Sequence, residues 1–191
     1  TIMRKLLFAT TLAMSLSSWA LDVDSKKTEF NWHASKVTGK HHGKVPLKSS
    51  KVKTDKKGNV TGGEFILNLT QFTVEDLDGE WEKKFLKHMK SEDFFQIAKW
   101  PTAKLVIEKL DGKMAHGKLT IKDKTQTVKF PYKKKGNAYS GTLKFDRTKF
   151  GMIYNSSNFF KNLGDKVIHN DVKVDFKVVL KDDKKAKVAE K

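Results

Sequence analysis

Apolar and polar residues alternate along most of the chain, the period of strands that bury one face. Phe30, Trp32 and Ala34 lie on one side of the first such stretch, with Glu29, Asn31 and His33 on the other. From Val37 to Lys48 the residues Val37, Gly39, His41, Gly43, Val45 and Leu47 share a face against Lys36, Lys40, His42, Lys44 and Lys48. Lys56-Lys57-Gly58-Asn59 then reads as a turn, after which Gly63, Phe65, Leu67 and Leu69 point inward. The same period places Ala103, Leu105 and Ile107 together, and, beyond Asp111-Gly112, Gly117, Leu119 and Ile121. Val128 and Phe130 follow Asp123-Lys124 and stop at Pro131, while Gly141, Leu143 and Phe145 follow Lys135-Gly136-Asn137. The last strand is the clearest, with Val172, Val174, Phe176 and Val178 against Lys173, Asp175 and Lys177. Roughly eight strands joined by Gly, Asn and Asp turns predict an all-β antiparallel barrel or sandwich.

Glu80–Lys99 breaks this period. Trp81, Phe85, Leu86 and Met89 recur at helical spacing, Phe94, Phe95 and Ile97 follow, and Trp100-Pro101 ends the segment. One or two helical turns on either side of Ser91 are expected to close one end of a barrel.

Three segments divide the chain. Arg4-Lys5, the apolar run Leu6–Leu16 and the small residues Ser18 and Ala20 form an export signal over residues 1–20, cut after Ala20. The run is shorter than the ~20 residues of a membrane span. Residues 21–180 hold the strand pattern, and 181–191 form a charged tail. The expected location is the periplasm or the medium.

Composition narrows the chemistry. The 191 residues carry 39 Lys+Arg against 22 Asp+Glu, a formal charge of +17, and no Cys. Disulfides, thiol chemistry and lipid attachment through cysteine are therefore excluded. The charge invites nucleic acid or an anionic membrane surface as partner. Lysines alternate with apolar residues on nearly every strand, however, so they coat the exterior all round, and no specific nucleic-acid partner is expected. A basic cell-surface protein that acts on anionic membrane or another polyanion stands as the second reading. No Gly-x-Ser-x-Gly, His-Glu-x-x-His or phosphate loop occurs, so no catalytic residue or enzyme activity is expected. His33, His42, His116 and His169 lack zinc-ligand spacing, and Asp76-x-Asp78-Gly79 opens like a calcium loop but has Lys87 at the bidentate position. No metal or other cofactor is expected.

Three stretches resemble the YceI family of exported, lipocalin-like proteins. They are His88-Met89-Lys90-Ser91-Glu92-Asp93-Phe94-Phe95 with Lys99-Trp100-Pro101-Thr102-Ala103, then Gly117-Lys118-Leu119-Thr120-Ile121-Lys122 with Thr125 and Val128, and Arg147-Thr148-Lys149-Phe150-Gly151-Met152. The resemblance implies an elongated eight-stranded antiparallel barrel around an apolar tunnel, holding an isoprenoid or another long apolar lipid such as a polyprenyl phosphate, quinone or fatty-acid-like chain. The sequence departs from the family at Asp123, where glycine is usual. It departs again at Asp76–Glu82, where many members carry Asn-x-x-Arg-Asp-x-His, which leaves the head group open.

An eight-stranded barrel either fills with side chains or holds one slim ligand. Gly39, Gly43, Gly63, Gly117 and Gly141 on inward faces would leave room for the ligand; the other use of such glycines is at bulges and barrel corners. The expected tunnel wall is Phe30, Trp32, Val37, Val45, Phe65, Leu67 and Phe72 from the first half. Phe94, Phe95, Leu105, Ile107, Leu119, Ile121, Leu143, Phe145, Phe150, Val174 and Phe176 complete it. Four residues are head-group candidates. His41 is one, or else a hydrogen-bonded core histidine; His88 either meets the head group or orients the helix. Arg147 and Lys149 suit a phosphate, unless they pair with Asp146 or the helix. The pattern leaves the oligomeric state open, a homodimer included. N-terminal sequencing of the protein recovered from the cell envelope or medium should begin at Leu21; an intact Arg4-Lys5 in that fraction would contradict the export signal.

Overall fold

A computed structural model describes residues 20–181, so the export stretch up to Trp19 and the tail beyond Lys181 lie outside the described residues. Ten strands run in chain order: β1 Ala20–Leu21, β2 Glu29–Lys36, β3 Gly39–Lys44, β4 Leu47–Thr54, β5 Val60–Asn68, β6 Thr102–Leu110, β7 Met114–Ile121, β8 Lys124–Lys135, β9 Ala138–Asp146 and β10 Asp171–Val179. They form one antiparallel sheet in the order β1-β4-β5-β6-β7-β8-β9-β10-β2-β3. The inward residues of the alternating pattern make a single apolar cluster, from Phe30 and Trp32 through Ala103, Leu119 and Ile121 to Leu143 and Val178. The strand lysines, among them Lys51, Lys104, Lys118, Lys144 and Lys173, are exposed on the other face.

The rolled sheet has two ends. One carries the short turns at 55–59, 111–113 and 136–137. The other carries the two longest connections, 69–101 with helix α1 (Gly79–Lys90) and the 147–170 segment. α1 has Glu80 and Glu82 in its first turn and Lys87, His88 and Lys90 in its last, charges that complement the helix dipole. It stops at Ser91, whose Oγ–H and N–H both donate to the His88 carbonyl, at 2.7 and 3.0 Å. The helix is therefore three turns before Ser91, and the residues after it make a compact turn instead of more helix. Gln96 takes a φ of 48° there, which a regular helix does not allow.

Three further differences from the sequence pattern have physical reasons. The Val37–Lys48 stretch is not one strand. β2 and β3 form a tight hairpin, and Val45-Pro46 then breaks the chain into β4, because proline supplies no N–H to continue a ladder. β4 has no period-two signature in its first half, because Lys48-Ser49-Ser50-Lys51 offers no apolar alternation between Leu47 and Val52. The inward glycines do not create space. A Cβ on Gly117 would lie 2.0 Å from the Val106 carbonyl oxygen and one on Gly43 2.1 Å from that of Thr73. Gly63 and Gly141 also abut backbone oxygens, while Gly39 is exposed in the hairpin. They are positions of close backbone approach, the use that bulges and tight corners make of glycine. Gly117→Ala should therefore lower stability by about 3 kcal/mol, read as a fall in urea midpoint at unchanged slope; an unaltered midpoint would show that the contact is dispensable.

Candidate functional site

The rolled sheet leaves a cavity of about 430 Å³ at its centre. Its walls are the inward faces of β2, β5, β6, β7, β9 and β10, and its cover is α1 with the turn that follows. Of the expected tunnel residues, Phe30, Trp32, Val45, Phe65, Leu67, Phe72, Phe94, Phe95, Leu105, Leu119, Ile121, Leu143, Phe145, Val174 and Phe176 line it. Three do not. Val37 sits at the β2–β3 turn and is 54% exposed, because the turn carries it past the end of the sheet. Phe150 is fully buried beside Phe145, edge to face at 5.5 Å, and packs behind the wall. Ile107 lines a second, smaller cavity of about 70 Å³ toward the short-turn end. Phe30, Phe65, Leu105 and Phe176 face both spaces and form the partition between them.

Trp32 organises the covered side. Its ring stacks on Phe72 at 4.7 Å and on Phe85 of α1 at 5.9 Å, and its Nε1–H donates to the Thr73 carbonyl at 2.9 Å. One side chain thus joins β2, the helix and the strap that leads into the helix. Phe85 and Met89 recur at the i, i+4 spacing that puts both on the helix's inner face. That spacing was visible in the sequence, but it did not say that the face looks into a cavity.

The head-group candidates separate. His41 lines the cavity beside Phe85, and its Nδ1 lies 2.8 Å from Asp76 Oδ2. Asp76 also accepts from the His42 N–H at 2.9 Å. Burial pushes the Asp76 carboxyl up, but the His42 N–H and the His41 ring outweigh it and hold its pKa below the usual carboxylate value. An ionised carboxylate only accepts, so His41 presents Nδ1–H to it and leaves Nε2 for the interior. His88 lines the cavity as well, with Nε2 2.9 Å from Asp93 Oδ2 and its ring edge-on to Phe94 and Tyr154. Arg147 is buried in the wall. Its Nε and Nη2 donate to the His169 and Ile168 carbonyls at 3.1 and 2.9 Å, and its Nη1 to that of Met152. Burial lowers the guanidinium's pKa and Asp146 raises it, without displacing it from the charged state that arginine keeps in proteins. Asp146 accepts from Thr148 instead of pairing with Arg147. Arg147 is thus chiefly a clamp on the 152–169 segment. Lys149 is exposed and outside the cavity, since the 3-10 turn Arg147–Phe150 directs it to solvent.

The opening contains residues that periodicity did not reveal. Ser35, Lys36, Asn155, Asp165 and Lys166 supply its polar rim, and Tyr154 and Ile168 its apolar edge, with the buried Met152 behind them. Most belong to the 151–170 segment, which has neither the strand nor the helix period. Asp76, at the start of the calcium-like stretch, is bonded to β3, and among the described residues no group of three or more His, Asp or Glu could hold a metal ion.

A YceI-like domain profile matches residues 19–180. The fold is similar to that of Burkholderia cenocepacia BcnA, at 22% identity and TM-score 0.62, over 83% of this chain and 99% of that one. It is similar also to a polyisoprenoid-binding domain from Saccharophagus degradans implicated in plant cell wall breakdown, at 12% identity and TM-score 0.58, over 85% of this chain and 98% of that one. The Campylobacter jejuni YceI protein aligns at 14% identity and TM-score 0.50, over 73% and 85%. No curated protein matches the chain.

The Asp76 bonds carry a pH signature. A carboxyl with a depressed folded-state pKa stabilises fully above its unfolded value of about 3.9 and ceases to do so as pH falls through the folded value. Asp76→Asn should cost about 1–2 kcal/mol at pH 7. Its difference from the wild type should shrink in urea titrations below about pH 4; a pH-independent difference would rule out the carboxylate's role.

Proposed function

This chain belongs to the YceI-like domain family, and from that premise we propose that it binds and shields one long apolar lipid, of isoprenoid or similar type, inside the rolled sheet. The cavity carries this reading: about 430 Å³, walled mostly by apolar and aromatic side chains, with His41, His88 and Arg147 as polar groups in its wall and cover and the other polar residues at its opening. That volume falls in the range of about 300–1,000 Å³ typical of small-molecule sites. Each methylene taken out of water contributes about 0.8 kcal/mol, so a chain of modest length is held without any charged group at its tail. The polyisoprenoid-binding relative from Saccharophagus degradans supports the same ligand class.

The tail lies against Phe65, Leu119 and Phe176, and the polar end sits at Lys36, Asn155 and Lys166, with His41 and His88 flanking the chain. The partition of Phe30, Phe65, Leu105 and Phe176 sets how deep the tail reaches. Rotation of those side chains would join the two cavities and admit a longer chain. In this reading the protein acts as a carrier with no chemistry on its cargo, and the export-signal pattern over residues 1–20 supports carriage outside the cytoplasm.

Native mass spectrometry of the detergent-free protein from its native host, with solvent extraction of the same sample, tests this reading. One apolar molecule per chain is expected. Ala34→Trp and Val174→Phe, which fill the cavity from two walls, should each reduce occupancy at least tenfold while the protein remains folded. A protein that recovers no apolar molecule and binds neither a polyprenol nor a quinone probe would overturn it.

A further inference from the structure

The opening of the cavity is flanked by an apolar tip that the lipid reading does not use. The Ile168 N–H donates to the Asn155 carbonyl at 2.9 Å and closes the base of a loop. Within it Ser156 is completely buried, and its carbonyl accepts from the N–H groups of both Phe159 and Phe160 at 3.0 Å. The two residues are 55% and 44% exposed. An anchored turn thus holds them in water and forgoes the gain that burial would give. Val37, 54% exposed, joins the same end, since its N–H donates to the Val167 carbonyl at 3.0 Å. Lys161 lies in the loop, and Lys36 and Lys166 lie on the cavity rim. Among the described residues the paired lysines are Lys27, Lys44, Lys83, Lys118, Lys144 and Lys181, so these three are left for an external anion.

Exposed rings among unpaired lysines match the interface of an anionic bilayer, where aromatic rings settle at head-group depth and ammonium groups meet phosphate. We propose that the Val37, Phe159 and Phe160 tip, with Lys36, Lys161 and Lys166, docks the protein on an anionic phospholipid surface with the cavity opening turned toward it. The docking stands on the loop; only its purpose, loading and release of a lipid, rests on the ligand reading. The observations favour a bilayer over a protein partner or a second copy because the tip is small and three lysines flank it against one carboxylate, Asp165.

Co-sedimentation of the full mature chain with vesicles tests the proposal whatever the cavity holds. Binding is expected to phosphatidylcholine vesicles containing phosphatidylglycerol, to weaken with added salt, and to be far poorer on phosphatidylcholine alone. Phe159→Ser combined with Phe160→Ser should weaken it at least tenfold, and Lys161→Gln and Lys166→Gln on the order of fivefold each. The chain has no Cys, so a dye on Phe160→Cys reports insertion cleanly. It should shift to the blue on vesicles, whereas the same dye on Lys57→Cys, in the turn at the opposite end, should not. Failure of the wild type to bind, undiminished binding by the double Phe variant, or an equal dye response at Lys57 would overturn the proposal. So would self-association through the tip without vesicle binding.

Discussion

A sheet that curls round an open interior must satisfy the peptide groups on its outer edges, because the strands there have one free side. Here each edge is met by a short piece of chain. Residues 20–24 pair with β4 through Leu21 and Val52, then with the end of β10 through Val23 and Leu180. On β3, Thr73 and Glu75 donate to the Lys44 and His42 carbonyls at 2.9 and 2.8 Å, and the side chains of Thr73 and Asp76 accept from the Lys44 and His42 N–H groups. The second edge is thus completed half by backbone and half by side chains. That strap also carries Phe72 against Trp32 and delivers the chain into α1, so edge closure, the cavity roof and the helix form one unit.

The interior stays open because large rings prop one another apart. Trp32 stacks between Phe72 and Phe85; Phe130 meets Phe176 edge-on at 5.5 Å; and at Gly43, Gly117 and Gly141 the missing side chain lets backbones approach closely. Arg147 does comparable work at the opening. Its guanidinium ties three carbonyls of an irregular segment to the end of β9, a task suited to its planar fork. The lysines take no part in this. They lie on the outward face, where ion pairs such as Lys118–Glu108 contribute little to stability, and their net charge bears on what the protein meets outside.

Much of this was legible in the residues. The period-two pattern identified the inward faces of β2, β5, β6, β7, β9 and β10, and the three family stretches pointed to the YceI-like fold. The pattern missed where it carries no information. β1 is two residues long, and β4 has four polar residues in a row after Leu47. The 151–170 segment is held by backbone hydrogen bonds and one buried arginine instead of by periodic burial. Apolar alternation also cannot distinguish a residue at the cavity surface, such as Phe145, from one packed behind it, such as Phe150. Nor does it show whether an inward glycine makes space or admits a backbone.

If the apolar cavity holds a lipid, the most direct measurement is a crystal structure of the protein purified without detergent from its native host. Continuous, unbranched density is predicted from the Phe30–Phe176 partition to the rim at Lys36 and Lys166. A cavity closed by side-chain movement, or filled only by separate water peaks, would contradict the account.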